Sequence, residues 1–129
     1  MPNRFWDWFR QGEADLQLAR HASDGAHFEW ACFAAQQAAE KALKAVYLSH
    51  GQDAWGHTLT ALVGQMPDPI SAPRKVIHAA QVLDKHHIPT RYPYGFDSGA
   101  PADFYTEQEA QDAIEKAEQI IEFCRSQID

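Results

Sequence analysis

The chain predicts an all-α fold, an up-and-down bundle of four or five helices, on three observations. Segment 28–50, FEWACFAAQQAAEKALKAVYLSH, places Phe28, Cys32, Ala35, Ala39, Ala42 and Val46 at alternating steps of four and three, the spacing of one helical face. Four further segments, one of them short, show helical spacing or helix-start signals and are bounded by breakers. The links between segments are short except one, which favours antiparallel neighbours. At 129 residues the sequence reads as one domain over 1–129, large enough to bury a core without disulfide staples.

Segment 28–50 is the expected centre of the bundle. Its seven alanines between Ala31 and Ala45 favour helix and let neighbouring helices approach closely. A second row, Phe33, Gln37, Glu40, Lys44 and Tyr47, follows the same steps on another side, polar in the middle and aromatic at each end. One helix therefore carries an inward stripe and a charged stripe.

In chain order, Arg4 to Ser23 sets Phe5, Phe9, Leu16 and Ala19 on one side of a first helix, which Asp24-Gly25 ends. Trp6 and Trp8 cannot both share the Phe5/Phe9 face, so one is expected under another element or exposed at a subunit contact. After the break at Gly51-Gln52-Asp53, Thr58 is the expected cap of a short helix whose Leu59, Leu62 and Val63 face inward. Ser71 and Pro73 mark the next start, with a helix to about His87 burying Val76, Ala80 and Leu83. That leaves Arg74, His78, Gln81 and Lys85 as a polar row. Residues 88–105, IPTRYPYGFDSGAPADFY, hold three prolines, two glycines and five aromatics, and no regular element is expected there. Tyr92, preceding Pro93, should be extended. Thr106 with Glu109 forms a capping box for a last helix to about Ser126, burying Ala110, Ile114, Ala117, Ile121 and Cys124.

Composition narrows the function. No apolar run approaches the roughly eighteen residues needed to span a bilayer, and the start lacks a secretory apolar region, so a cytoplasmic protein with no membrane partner is expected. Cys32 and Cys124 both fall on apolar faces, as buried reduced thiols do. The formal charge of -7 argues against non-specific nucleic-acid binding, which requires a basic surface to displace counterions. Any RNA contact must be local. No Gly-rich phosphate loop, zinc pattern or nucleophile elbow occurs, and His86-His87 point about 100° apart on a helix, so neither metal nor cofactor is expected.

The candidate binding residues are Gln37, Glu40, Lys44 and Tyr47 on the central helix, with Arg91 and Tyr92. Lysine and arginine would hold phosphates and a tyrosine would stack on a base. The plainer alternative is that Glu40 and Lys44 are a surface ion pair one turn apart. His57, after Gly56, either contacts a ligand or hydrogen-bonds its own loop, the second being preferred. Arg74 and His78 share one helix face as a variant phosphate or catalytic pair, or simply as a solvated face, which is the preferred reading.

Taken together, AAQQAAEKALKAVYLSHG, then His57-Thr58-Leu59 with Leu62, then Leu83 through Arg91-Tyr92-Pro93, and a last helix containing AIEKAEQII, resemble the HEPN domain over nearly the whole chain. The resemblance implies a four- or five-helix bundle, frequent homodimers, and two broad jobs. Some members are ribonucleases, often toxins; others bind nucleotides or accompany a small nucleotidyltransferase encoded beside them. It favours the pocket reading of Gln37, Glu40, Lys44, Tyr47, His57, Arg91 and Tyr92, with a nucleotide or the nucleotidyltransferase as partner in a two-gene, toxin–antitoxin type module. Ribonuclease members carry an arginine, four to six residues, then a histidine on a late helix. Here Arg74 and His78 are separated by three residues, Arg91 has no histidine after it, and Arg20 and His27 are interrupted by Asp24-Gly25. The catalytic pattern is thus unmatched at its expected place. Two alternatives follow: a metal-independent ribonuclease toxin using Arg74 and His78, or Arg91, in a composite dimer site, and a purely structural dimerisation module.

Overall fold

The computed structural model describes residues 3–128, and its described residues form six helices. They are α1 (Phe5–Asp24), α2 (Phe28–Ser49), α3 (Leu59–Gly64), α4 (Arg74–Asp84), α5 (Pro101–Phe104) and α6 (Glu107–Ile128). The expected all-α bundle is what forms. Helix α2 is its axis: α1 and α6 pack along it, α4 rests on α6, and α3 on α4. Every alanine from Ala31 to Ala45 is buried, as are Cys32, Leu43 and Val46.

Small residues set the closeness of the α1–α2 crossing. Gly12 of α1 is buried, and a Cβ there would stand 2.9 Å from the Ala38 carbonyl oxygen and 3.4 Å from the Ala42 nitrogen. Backbone meets backbone at that point. Phe9, Leu16 and Ala19 flank it as expected, whereas Phe5 is only half-buried. Both Trp6 and Trp8 remain exposed, Trp6 edge-on to Phe9 with ring centres 5.8 Å apart. The turn into α2 puts its left-handed backbone at Ala26, with φ 62°, and not at Gly25.

Three local expectations are corrected. Thr58 takes the extended backbone of a cap residue, but its side chain makes no capping bond. Asp84, at the end of α4, does the capping: its carboxylate accepts the Leu59 N–H at 2.7 Å, the Thr60 N–H at 3.0 Å and the Thr60 hydroxyl. A carboxylate at a helix start meets both unpaired N–H groups and the positive end of the helix dipole, so the distant acid replaces the local hydroxyl. Helix α4 begins at Arg74 with Pro73 as its flanking residue, so Ser71 lies outside the cap, and it stops at Asp84, three residues short of His87. Segment 88–105 is not wholly irregular. Pro93–Gly95 forms a 3-10 turn and Pro101–Phe104 one helical turn, each opened by a proline whose fixed φ suits that position. The Thr106–Glu109 capping box forms as read, Glu109 N–H donating to the Thr106 hydroxyl at 3.2 Å and Thr106 N–H to the Glu109 carboxylate at 3.1 Å. In α6 the inward face is Ala110, Ala113, Ala117, Ile120, Ile121 and Cys124, with Ile114 half-buried. Cys32 and Cys124 are free and buried; burial, aided by Glu109, Asp112 and Glu29, pushes the Cys32 thiol up to about 12.

Gly12→Val is expected to destabilise the fold by about 2 kcal/mol, because its branch meets backbone that cannot rotate aside. Gly64→Ala, with nothing within 4 Å, should be close to neutral in the same urea titration. Ala26→Gly should stabilise by up to about 1 kcal/mol, since a left-handed alanine is strained. Asp84→Ala should cost about 2 kcal/mol and Thr58→Ala a few tenths, in thermal unfolding; equal effects would return the cap to Thr58.

Candidate functional site

Helix α2 is covered on so many sides that its second row cannot stay in water. Glu40 is 5% exposed and Gln36 fully buried, so each needs polar partners. The Glu40 carboxylate accepts from Lys44 Nζ at 3.1 Å, His57 Nδ1 at 2.8 Å and Gln36 Nε2 at 3.2 Å. Gln36 Nε2 also approaches the His57 carbonyl at 3.4 Å, tying the 50–58 loop to the helix. The remaining amide oxygen, Gln36 Oε1, accepts from Gln37 Nε2 at 2.7 Å and lies 3.5 Å from His87 Nδ1. No buried side-chain nitrogen or oxygen among the described residues is left without a partner.

The network surfaces as a pair of imidazoles. His57 and His87 stack with ring centres 5.2 Å apart and planes 17° from parallel. Arg91 lies beyond them. Its Nε donates to the His87 carbonyl at 2.9 Å, and its guanidinium sits 4.5 Å from the Phe33 ring centre and 5.1 Å from that of Tyr92. Trp30 meets Phe33 edge-on at 6.0 Å, while at the other end Lys44 stands 5.9 Å from the Trp8 ring. Both histidines line a groove of about 410 Å³, with Thr58, Asp84, Lys85, Ile88 and Pro89 as its other walls.

Most of the candidate binding residues therefore meet. Gln37, Glu40, Lys44, His57 and Arg91 form one connected cluster, with Tyr92 at its edge against Arg91. His57 is both the loop anchor expected of it and a wall of the groove. Tyr92 has the extended backbone expected before Pro93 and stays 42% exposed. Tyr47 is not brought to the cluster: it is buried, its hydroxyl donating to the Leu62 carbonyl at 2.6 Å, and it braces α3 against α2. Arg74 and His78 lie on the exposed side of α4, outside the cluster's hydrogen bonds.

Two participants escape a reading of the sequence. Gln36 sits among alanines on a nearly all-buried helix, where a lone amide needs dedicated partners; that adjacency is the available signal. Periodicity extends the fourth helix through His86 and His87, but α4 ends before both. His86 is buried at 9% exposure and faces Tyr105, whose hydroxyl is 3.4 Å from Nδ1; burial holds its pKa below the usual histidine range. His87 turns the other way. Burial, then Arg91 and His57, lower its pKa against the opposing pull of Glu40 and Asp84. Chemically the cluster offers two imidazoles able to move a proton, an arginine suited to phosphate oxygens, and aromatic faces beside them, while Lys44 is committed to Glu40.

Among the described residues no group of three or more His, Cys, Asp or Glu is placed to hold a metal ion, and no helix is long and apolar enough to cross a membrane.

Solved structures similar to this chain share both fold and sequence. The protein TT1696 from Thermus thermophilus is 42% identical with a TM-score of 0.95, covering 98% of this chain and 99% of that one. ST0689, described as an archaeal HEPN homologue, is 38% identical with a TM-score of 0.83 over 100% of both chains. An HEPN domain protein from Thermotoga maritima, TM0613, is 33% identical with a TM-score of 0.76, covering 93% of this chain and 95% of that one. A more distant relative, named "Putative toxin MJ1304", from Methanocaldococcus jannaschii, is 25% identical over 92% of this chain and 84% of its own length. The family model described as the HEPN domain matches residues 5–127, and the chain belongs to that family.

Proposed function

We propose that the protein is the HEPN component of a two-gene, toxin–antitoxin type module, a homodimer of single 129-residue domains that binds a nucleotide, or its nucleotidyltransferase partner, through the α2 cluster. The observation that carries this reading is the continuous connection from Lys44 through Glu40 and His57 to His87 and Arg91. In a chain of net charge -7, the imidazole pair and Arg91 stand together on one face, and no carboxylate pairs with Arg91 among the described residues. A local positive site beside aromatic rings suits a phosphate with a base attached. The "toxin" in the name of the archaeal relative supports the module, and the exposed Leu18 and Trp30 support self-association.

The ribonuclease alternative through Arg74 and His78 has less support, since that pair stands apart from the cluster on an open helix face. Binding by the full chain is expected in titration calorimetry with mononucleotides, or in co-purification with a nucleotidyltransferase encoded alongside. Arg91→Ala should weaken nucleotide binding at least about tenfold, roughly 1.4 kcal/mol, and His78→Ala should leave it unchanged. Failure to bind either partner removes the proposal. RNA cleavage by the wild type, lost in His78→Ala, would replace it with the ribonuclease reading.

A further inference from the structure

The hydrogen bonds around the histidine pair specify which nitrogens are free. His57 Nδ1 faces the Glu40 carboxylate at 2.8 Å, and His87 Nδ1 faces Gln36 Oε1, which already accepts from Gln37. Both partners are acceptors, so Nδ1 carries the hydrogen on His57, and the longer 3.5 Å contact orients His87 the same way. The Nε2 atom of each neutral ring is then a bare lone pair, with no partner among the described residues. Such a pair repels an anion's oxygens until it gains a proton.

Resting on the nucleotide-binding reading of the same cluster, we infer that the groove lined by the stacked His57 and His87 selects a terminal phosphomonoester over an internal phosphodiester and binds it together with one proton shared by the two imidazoles. A terminal phosphate ionises a second time near pH 6, close to histidine's own range, so it arrives with a proton to share or as a dianion that draws one in. In the first case the P–O–H proton passes to an imidazole Nε2 and the phosphate becomes a dianion. In the second, the proton comes from solvent. Either way one imidazolium N–H faces a dianion, and the other Nε2 stays neutral, because two positive rings with centres 5.2 Å apart repel each other. An internal diester has no such proton, one charge fewer, and two non-bridging oxygens instead of three.

The charged groups facing the pair come from each element around it. Helix α2 contributes Glu40, already shared with Lys44; α4 contributes Asp84, occupied as the cap of α3, with Lys85 beside it in the groove wall; the following segment contributes Arg91. Glu40 is offset by Lys44, whereas Asp84 keeps its charge in the groove wall with its oxygens engaged by Leu59 and Thr60, and both favour a protonated imidazole. Lys85, in the groove wall, is the cation placed to meet the phosphate oxygens, and Arg91 beside His87 adds positive charge nearby.

The test is titration calorimetry of the full chain with a 5′-mononucleotide, a dinucleoside monophosphate whose only phosphate is internal, and inorganic phosphate. It is run at pH 6 and pH 8 in two buffers of different ionisation enthalpy. The mononucleotide should bind at least about tenfold more tightly than the dinucleoside monophosphate at pH 6, weaken at pH 8, and take up a measurable fraction of a proton. Inorganic phosphate binding with the same proton uptake would assign the selectivity to the phosphate alone; its failure beside a bound mononucleotide would assign part of it to the base. His57→Asn, on an exposed loop, and His87→Asn should each flatten the pH dependence while circular dichroism stays unchanged. Equal affinities for the two nucleotides, or binding with no proton uptake by the wild type, overturns this inference and leaves nucleotide binding standing. Absence of binding by all three ligands overturns both.

Discussion

How closely α1 can approach α2 governs the rest of the molecule. Gly12 against the Ala38 carbonyl and the Ala42 nitrogen permits backbone contact, and the alanines from Ala31 to Ala45 present little side chain to separate α2 from its neighbours. A helix surrounded at that range has almost no solvent-facing side. Its polar residues are then committed to partners instead of water. The polar cluster forms on the opposite side of the helix, roughly 160° around from Ala38: there the loop after α2, through His57, closes over Gln36 and Glu40 and completes the enclosure.

That constraint propagates outward by hydrogen-bond accounting. Glu40 recruits Lys44 from its own helix and His57 from the following loop; Gln36 takes Gln37, holds the His57 carbonyl and approaches His87. Asp84 does the same work at a second junction, where it terminates α4 and caps α3 at once. The groove lined by His57 and His87 lies between these two ties. Its walls are set from both sides by carboxylates, Glu40 buried and Asp84 half-buried, as well as by the loop itself. A pre-positioned site of this kind loses little conformational freedom when a ligand arrives.

Periodicity makes the fold legible. Steps of four and three identify the inward faces of α1, α2, α4 and α6 because helical geometry repeats locally, and the Thr106–Glu109 box is a four-residue signal. The misplacements share one physical origin. Thr58 has the right chemistry for a cap, but Asp84, twenty-four and more residues away, supplies a stronger acceptor, and sequence spacing carries no trace of it. Helix α4 likewise ends before His86 and His87, and the two rings part, one to Tyr105 and one to His57, contacts that local spacing does not encode. Site residues on α2 are legible as a row. Gln36 and His87, which join that row to the groove, depend on tertiary contact.

Stability alone does not account for a charged pair at the centre of this network. A buried ion pair is often matched or exceeded by apolar residues of similar volume, and most other buried positions of α2 are apolar, chiefly alanine. Glu40 with Lys44 nonetheless occupies ground where two aliphatic side chains would fit the surrounding pattern. What the carboxylate adds, and an aliphatic residue would not, is direction. It sets the tautomer of His57, as Gln36 does for His87, and so decides which nitrogen each ring turns outward. The chain carries an acidic surplus of seven, yet it commits one buried carboxylate to orienting an imidazole toward solvent. That arrangement makes physical sense for a site whose charge changes when its ligand arrives, because an oriented, proton-ready pair answers a doubly charged phosphate without a permanent basic surface that would attract nucleic acid at large.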